Sequence, residues 1–217
     1  MTKTVLVGAT GLVGANLVDV ATRPLHILAR RAGNIARSGN EETVADSDEW
    51  PDVIAGLQPD IIISCLGTTI AKADTKQAFA AVDHDLVIAV ATAAKEAGAK
   101  QMICVSSVGA SKESSNFYLQ TKGRAEAALE SLKFDRLDIF RPGLLTGNRD
   151  EFRFGENIGK LLAPVTDFLM RGSLSRYRST SAQQLAQAID AAAGATEQGR
   201  FIHENDGIDT LTAKMRG

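Results

Sequence analysis

Short aliphatic and β-branched runs alternate along the chain with alanine- and leucine-rich stretches of helical periodicity, the pattern of repeated β-α units feeding a parallel sheet. Thr4 to Val7 reads as the first strand. Leu12 to Thr22 reads as a helix with Leu12, Val13, Leu17, Val18 and Ala21 on its apolar side, and Leu25 to Ala29 as the second strand. Asn40 to Asp60 is less regular, with a short strand around Thr43 to Ala45, an acidic loop and a weak helix from Pro51 to Leu57. Ile61 to Cys65 and Met102 to Val105 are continuous apolar runs without alternation, as expected of strands covered on both faces. The spacing predicts long helices over Lys76 to Ala97, ending at a left-handed Gly98, and over Phe117 to Leu132. Leu137 to Phe140 is a strand stopped by Arg141-Pro142-Gly143, Ser181 is an N-cap for a helix from Ala182 to Ala193, and Arg200 to His203 is a last strand. The expected architecture is α/β, a doubly wound parallel sheet in one domain over residues 1–217. The looser stretch 148–180 is expected to form a small C-terminal, substrate-side cap.

Composition adds mostly exclusions. With 44% hydrophobic and 23% charged residues the chain is an ordinary globular sequence, and a net charge of -2 supplies no basic field for a nucleic-acid backbone. The loose group Arg171, Arg176 and Arg178 reads as solvated surface. Cys65 and Cys104 both lie inside apolar runs, where they read as small buried hydrophobes; this favours a reducing, cytoplasmic setting. The start has too short an apolar stretch for a signal peptide, and no uninterrupted apolar run reaches about 18 residues, so no membrane anchor is expected.

The first chemistry lies in the turn after strand one. Gly8, Gly11 and Gly14 form G-x-x-G-x-x-G between a buried strand and a helix. Glycine lets backbone amides reach a pyrophosphate, and the helix dipole favours the anion, so the turn predicts a dinucleotide, with Thr10 as an added hydroxyl donor. At the end of strand two, where an acidic residue would accept hydrogen bonds from ribose hydroxyls, the chain has Arg30 and Arg31. A guanidinium clamps a phosphate instead, which predicts NADP(H) over NAD(H), although two surface arginines ending a strand would look the same.

Tyr118 and Lys122 are four residues apart on a predicted helix and so share a face. An ammonium beside a phenol favours the phenolate and is expected to lower its pKa towards the working range of a proton donor or acceptor. Ser106 and Ser107 end a buried strand about a dozen residues earlier, at the sheet edge where ligands bind. Ser107 is preferred over Ser106 to orient a carbonyl oxygen, with the neighbour left open.

GATGLVG, CVSSVGA, Y-L-Q-T-K and F-R-P-G-L in this order resemble a short-chain dehydrogenase/reductase of the atypical, extended-like kind. ISCLGTT, SSNFYLQTKGRAE and KFDRLDIFRPGLL resemble, more narrowly, its Tat-interacting-protein-like subgroup. The resemblance implies a Rossmann sheet of about seven strands with NADP(H) along its carboxyl edge. It assigns Gly8, Thr10, Gly11, Leu12 and Val13 to the pyrophosphate, Arg30 and Arg31 to the 2'-phosphate, and Asp46 and Ser47 to the adenine. Cys65, Leu66 and Gly67 are implied beside the adenosine and ribose, and Tyr118, Lys122, Pro142 and Leu144 around the nicotinamide. Where many family members place a helix asparagine in a proton relay, this chain reads Ala81-Val82-Asp83-His84-Asp85, with Asp83 the nearest match. No counterpart of the C-terminal substrate domain of sugar-nucleotide epimerases is expected from these residues.

Other candidates carry less. His26 and His203 fall inside strands, His84 sits between two aspartates on a helix, and no spacing matches a metal site. Phe152, Phe154, Phe168 and Tyr177 either line an apolar pocket or anchor their segment to the core. The sequence thus predicts an NADPH-dependent oxidoreductase acting on a small carbonyl or quinone-like substrate, with catalytic residues Ser107, Tyr118 and Lys122. The rival is an NADPH-binding redox sensor that reports to a protein partner without turnover. A small molecule is the expected partner, neither nucleic acid nor membrane is expected, and a homodimer stays open.

Overall fold

The computed structural model describes residues 2–33, 39–147 and 176–214. Its centre is a seven-stranded, all-parallel sheet built from β1 (Thr4–Val7), β2 (His26–Ala29), β3 (Glu41–Val44), β4 (Ile61–Ser64), β5 (Gln101–Val105), β6 (Arg136–Phe140) and β9 (Gly199–His203), in the order β3-β2-β1-β4-β5-β6-β9. This is the doubly wound α/β fold expected. From β1 the chain winds outward through β2 and β3, then restarts at β4 on the other side of β1. The loops after β1 and β4 therefore diverge and open a crevice at the carboxyl edge.

The buried strands carry apolar side chains to both faces because each face is covered by helices. Leu6, Ile27, Ile63 and Ile103 point into one core with Val13 and Leu17 of α1 (Leu12–Val20) and Leu185 and Ile189 of a later helix (Ala182–Ala193). Their strand neighbours Val5, Val7, Ile62 and Met102 point the other way. They meet Trp50 and Ile54 of α2 (Trp50–Leu57), Val87 and Val90 of α5 (Val87–Glu96) and Leu129 of α6 (Phe117–Ser131).

Most element boundaries fall within two residues of those predicted. Ser181 caps its helix by accepting a hydrogen bond from Gln184 N at 3.1 Å, and Gly98 has φ +98. Four features were not predicted. The first is a single helical turn, α3 (Ile70–Ala73), capped by Thr69, whose hydroxyl accepts from Lys72 N. The second is an interruption of the long helix, which runs as α4 (Lys76–Ala80), a π-helical turn (Ala81–Leu86) and then α5. The third is a small parallel pair, β7 (Leu145–Thr146) with β8 (Thr180–Ser181), after which α7 (Ala182–Ala193) begins. The fourth is a last helix, α8 (Asn205–Lys214), which buries Ile208 and Thr212. The run Lys76–Glu96 is long and apolar enough to cross a bilayer, at mean hydropathy 1.2 over its best window, although its apolar residues are not uninterrupted. In this fold it packs on α2 and α6 and holds an aspartate in the interior. Of the proposed cap, residues 148–175, including Phe152, Phe154, Phe168 and Arg171, lie outside the described residues.

Candidate functional site

The glycine turn is dictated by two close approaches. Gly8 has φ +85, and a Cβ there would lie 2.6 Å from the Cys65 carbonyl carbon, in the backbone leaving β4. At Gly14 a Cβ would lie 2.2 Å from the Gly8 carbonyl oxygen, so only glycine lets α1 start this close to the end of β1. Gly11 N donates to Gly8 O at 3.0 Å and Gly11 stands at the N-cap in extended conformation. No side chain caps α1 and its first turn carries no acidic residue. The amides around Leu12 and Val13, with the helix dipole behind them, thus form an anion-receptive end with no carboxylate competing for it. Thr10 is exposed at the rim.

Arg30 and Arg31 follow β2 directly and are exposed. The β2–β3 pairing continues through Ala45 N, which donates to Ala29 O at 3.0 Å, so Asp46 and Ser47 enter the loop beside the two arginines. That loop is braced: Asp46 N donates to Glu49 Oε2 at 3.0 Å and Trp50 Nε1 to Ala45 O at 3.1 Å. Across the crevice, Cys65, Leu66 and Gly67 leave β4. Cys65 packs on one core and Cys104 belongs to the other, both thiols are free, and burial pushes the Cys104 thiol up to about 12. Neither has the environment of a nucleophile.

The two serines are separated by their partners. Ser106 Oγ donates to Glu126 Oε1 at 2.5 Å, and Glu126 in turn accepts from Arg141 Nε at 3.0 Å and Arg141 Nη2 at 2.5 Å. Ser106 is committed to a buried brace between α6 and the end of β6. Ser107 is instead hydrogen-bonded to Tyr118. Val108 N donates to Pro142 O at 3.0 Å, which anchors Pro142 beside the serine loop, and Thr180 N donates to Leu144 O at 2.9 Å, which holds Leu144 against β8.

Tyr118 stands in the first turn of α6, which Asn116 caps by accepting from Leu119 N at 3.2 Å, and its ring lies 5.5 Å from that of Phe79. Lys122, one turn on, is 6% exposed and its Nζ is 2.7 Å from Asp83 Oδ1. Burial works against the ammonium, but Asp83 and Tyr118 together raise its pKa above the ordinary lysine range. The expected lowering at Tyr118 is not found. Burial pushes the phenol up; Lys122 and the Ser107 hydrogen bond pull it down, Asp83 opposes them, and the balance is above the ordinary value. Lys122 cannot act as an isolated positive charge with a carboxylate in contact.

The structure thus brings Ser107, Tyr118, Lys122 and Gly67 to one corner of the carboxyl edge, with the glycine turn and the arginine pair elsewhere along it. Asp83 as the partner of Lys122, and Glu126 with Arg141 behind Ser106, were not predicted. Glu126 sits four residues beyond Lys122 on the same helix face, a spacing that pointed towards it. His26 is held by Glu41 at 3.0 Å and Thr43 at 2.8 Å, His203 by Asp138 at 2.8 Å, and His84 pairs with Asp85. Among the described residues no group of three or more metal-ligating side chains occurs.

A family model described as NAD(P)H-binding matches residues 8–191. The mitochondrial protein fmp52 of Emericella nidulans is 32% identical over 202 residues, covering 88% of this chain and 83% of that protein. FMP52 of Coccidioides immitis is 32% identical over 217 residues, covering 92% and 88%. Among solved structures, UDP-glucose 4-epimerase of Thermotoga maritima with UDP-glucose aligns at TM-score 0.68 and 13% identity, covering 98% of this chain and 82% of that one. The Bordetella bronchiseptica enzyme WbmH with NAD+ aligns at 0.66 and 16%, covering 100% and 82%. At these identities the structures establish a shared fold. The relatives correct one expectation: they are named as mitochondrial, against the cytoplasmic placement. Free thiols, half-buried at Cys65 and buried at Cys104, fit any reducing compartment, so the cysteines never distinguished the two.

Proposed function

Because this chain belongs to the NAD(P)H-binding family and is a relative of the FMP52 proteins, we propose that it is an NADPH-dependent reductase of a small carbonyl or quinone-like substrate. Its kind is the atypical, Tat-interacting-protein-like short-chain dehydrogenase/reductase, working in mitochondria as its relatives' names suggest. The observation that carries this reading is the corner formed by Ser107, Tyr118 and buried Lys122 on the same sheet edge as the glycine turn.

The residues fit the dinucleotide. A Cβ at Gly8 or Gly14 would fill the cradle, the open end of α1 receives the pyrophosphate, and Arg30 and Arg31 supply bidentate donors for a 2'-phosphate beside Asp46 and Ser47. Bound NADPH supplies the hydride. Ser107 orients the substrate oxygen by hydrogen bonding. Tyr118, whose phenol is held above the ordinary range, enters protonated and gives its proton to that oxygen. Lys122 holds the corner together through its contact with Asp83 and would be the nearest cation for the ribose of the bound nucleotide.

A panel of aldehydes, ketones and quinones tests the reading through NADPH oxidation. At least one should be reduced, and Tyr118→Phe should slow that reduction by about 10²- to 10⁴-fold, the range of one proton-transfer group. Full turnover by the phenylalanine variant refutes the role of Tyr118. Tight NADPH binding with no turnover across the panel refutes the reductase and favours a cofactor-reporting adaptor.

A further inference from the structure

The helix that begins at Lys76 does not continue regularly through its middle. Over Ala81–Leu86 it widens into a π-turn, a feature that inserts an extra residue and re-aims side chains. The residue brought inward is Asp83, only 1% exposed. Its Oδ1 lies 2.7 Å from Lys122 Nζ, and its Oδ2 accepts from Thr68 N at 2.8 Å. One carboxylate therefore ties together the π-turn, α6 and the loop after β4. Gly67 closes the contact: a Cβ there would lie 3.5 Å from Asp83 Oδ1 and 3.8 Å from Lys122 Nζ.

We propose that Asp83 is a positioning residue that offsets the charge of Lys122 beside Tyr118, and so helps to keep the Tyr118 phenol in the protonated form from which a proton is given to a carbonyl oxygen. The proposal rests on the reductase reading above. An uncompensated ammonium favours the phenolate, the form that takes up a proton; an ammonium in contact with a carboxylate leaves the phenol protonated. The other charged and titratable groups around the corner do not replace this pair. Glu126 is tied to Arg141, Lys76 of α4 lies over the Phe117 ring at 5.3 Å, His84 pairs with Asp85 at the helix surface, and the Cys104 thiol stays neutral. In the reductive direction the carbonyl carbon would gain the hydride of bound NADPH and its oxygen the Tyr118 proton. The carbonyl is thereby reduced, NADPH is oxidised, and the phenolate recovers a proton from water.

The test uses the cofactor-free protein. The chain has two tyrosines, so in a Tyr177→Phe background the phenolate absorbance reports Tyr118 alone. Asp83→Asn keeps an acceptor oxygen for Thr68 N and removes the charge. It should lower the Tyr118 titration midpoint by roughly 1–2 pH units. Asp83→Asn with Lys122→Met removes both charges and should bring the midpoint back to that of the parent or above it. An unchanged midpoint in the single variant overturns the proposal. The double variant leaves no unpaired buried charge, so it decides the matter even where the single variant is unstable: a midpoint below the parent's also overturns it. Neither titration involves cofactor or substrate, so failure here is distinguishable from failure of the NADPH oxidation panel.

Discussion

Replacing Gly14 with alanine should injure both the fold and the cofactor site, against the ordinary expectation for a helix. Inside a helix, alanine is favoured over glycine by about 0.5–1 kcal/mol. At Gly14, however, the new methyl would sit 2.2 Å from the Gly8 carbonyl oxygen and 2.8 Å from Ala9 Cα. It falls 0.8 Å short of the 3.0 Å below which Cβ contacts are essentially never seen. The start of α1 must retreat by about that much, at an overpacking cost of about 1–3 kcal/mol that outweighs the gain in propensity. For a chain of this size the net loss, up to about 2.5 kcal/mol, should lower the melting temperature by up to roughly 10 °C. The same retreat draws the first-turn amides away from a bound pyrophosphate. Loss of one charge-assisted hydrogen bond, about 1.5–3 kcal/mol, weakens NADPH binding by roughly 10- to 100-fold. Gly56→Ala, in α2 with no atom within 4 Å of its Cβ, is the control and should raise the melting temperature by about 1–4 °C. Calorimetry and a fluorescence titration with NADPH read both effects. A Gly14→Ala protein as stable as the parent, with unchanged NADPH affinity, refutes the reasoning.

Arg30→Asp should reverse the nucleotide preference, lowering NADPH affinity relative to NADH by tenfold or more; equal affinities in parent and variant would remove the arginine pair from the 2'-phosphate. Glu126→Ala should destabilise by about 3–5 kcal/mol because Arg141 loses its buried partner, whereas Glu126→Leu with Arg141→Met should lose far less; equal losses by chemical denaturation contradict this. At Asp138, burial opposes ionisation, but hydrogen bonds from His203, Arg136 and Gln101 hold its carboxyl below the usual range. A depressed folded-state pKa contributes stability above the unfolded value of about 3.9 and loses it as pH falls through the folded one, so Asp138→Asn should flatten the acid limb of the stability profile below about pH 4. A limb as steep as the parent's assigns the acid loss to other carboxylates.

The strands were legible because burial on both faces writes itself as continuous apolar runs, as in Ile61–Ser64, and the glycine turn because its three positions join a strand to a helix. Ser181 and Gly98 announced helix ends through local chemistry alone. What stayed hidden depended on tertiary contacts. Nothing in AVDHDL signals a π-turn, since the local sequence is helix-compatible and the widening serves a salt bridge to a residue far along the chain. The last helix, NDGIDTLTAK, has a glycine and two threonines of low helical propensity and is held by burying Ile208 and Thr212. Tyr118 shows the same limit in its chemistry. The four-residue spacing to Lys122 is visible in the sequence, but the burial that outweighs its pull on the phenol, and the Asp83 carboxylate that adds to it, come from residues distant in sequence.

A structure of the protein with NADPH bound tests the reductase site most directly. The nicotinamide ring should lie against Ser107 and Tyr118, with its C4 facing the space beside the Tyr118 hydroxyl and the 2'-phosphate between Arg30 and Arg31. A dinucleotide held at the glycine turn with its nicotinamide directed away from Tyr118 would contradict the assignment of that tyrosine as the proton donor.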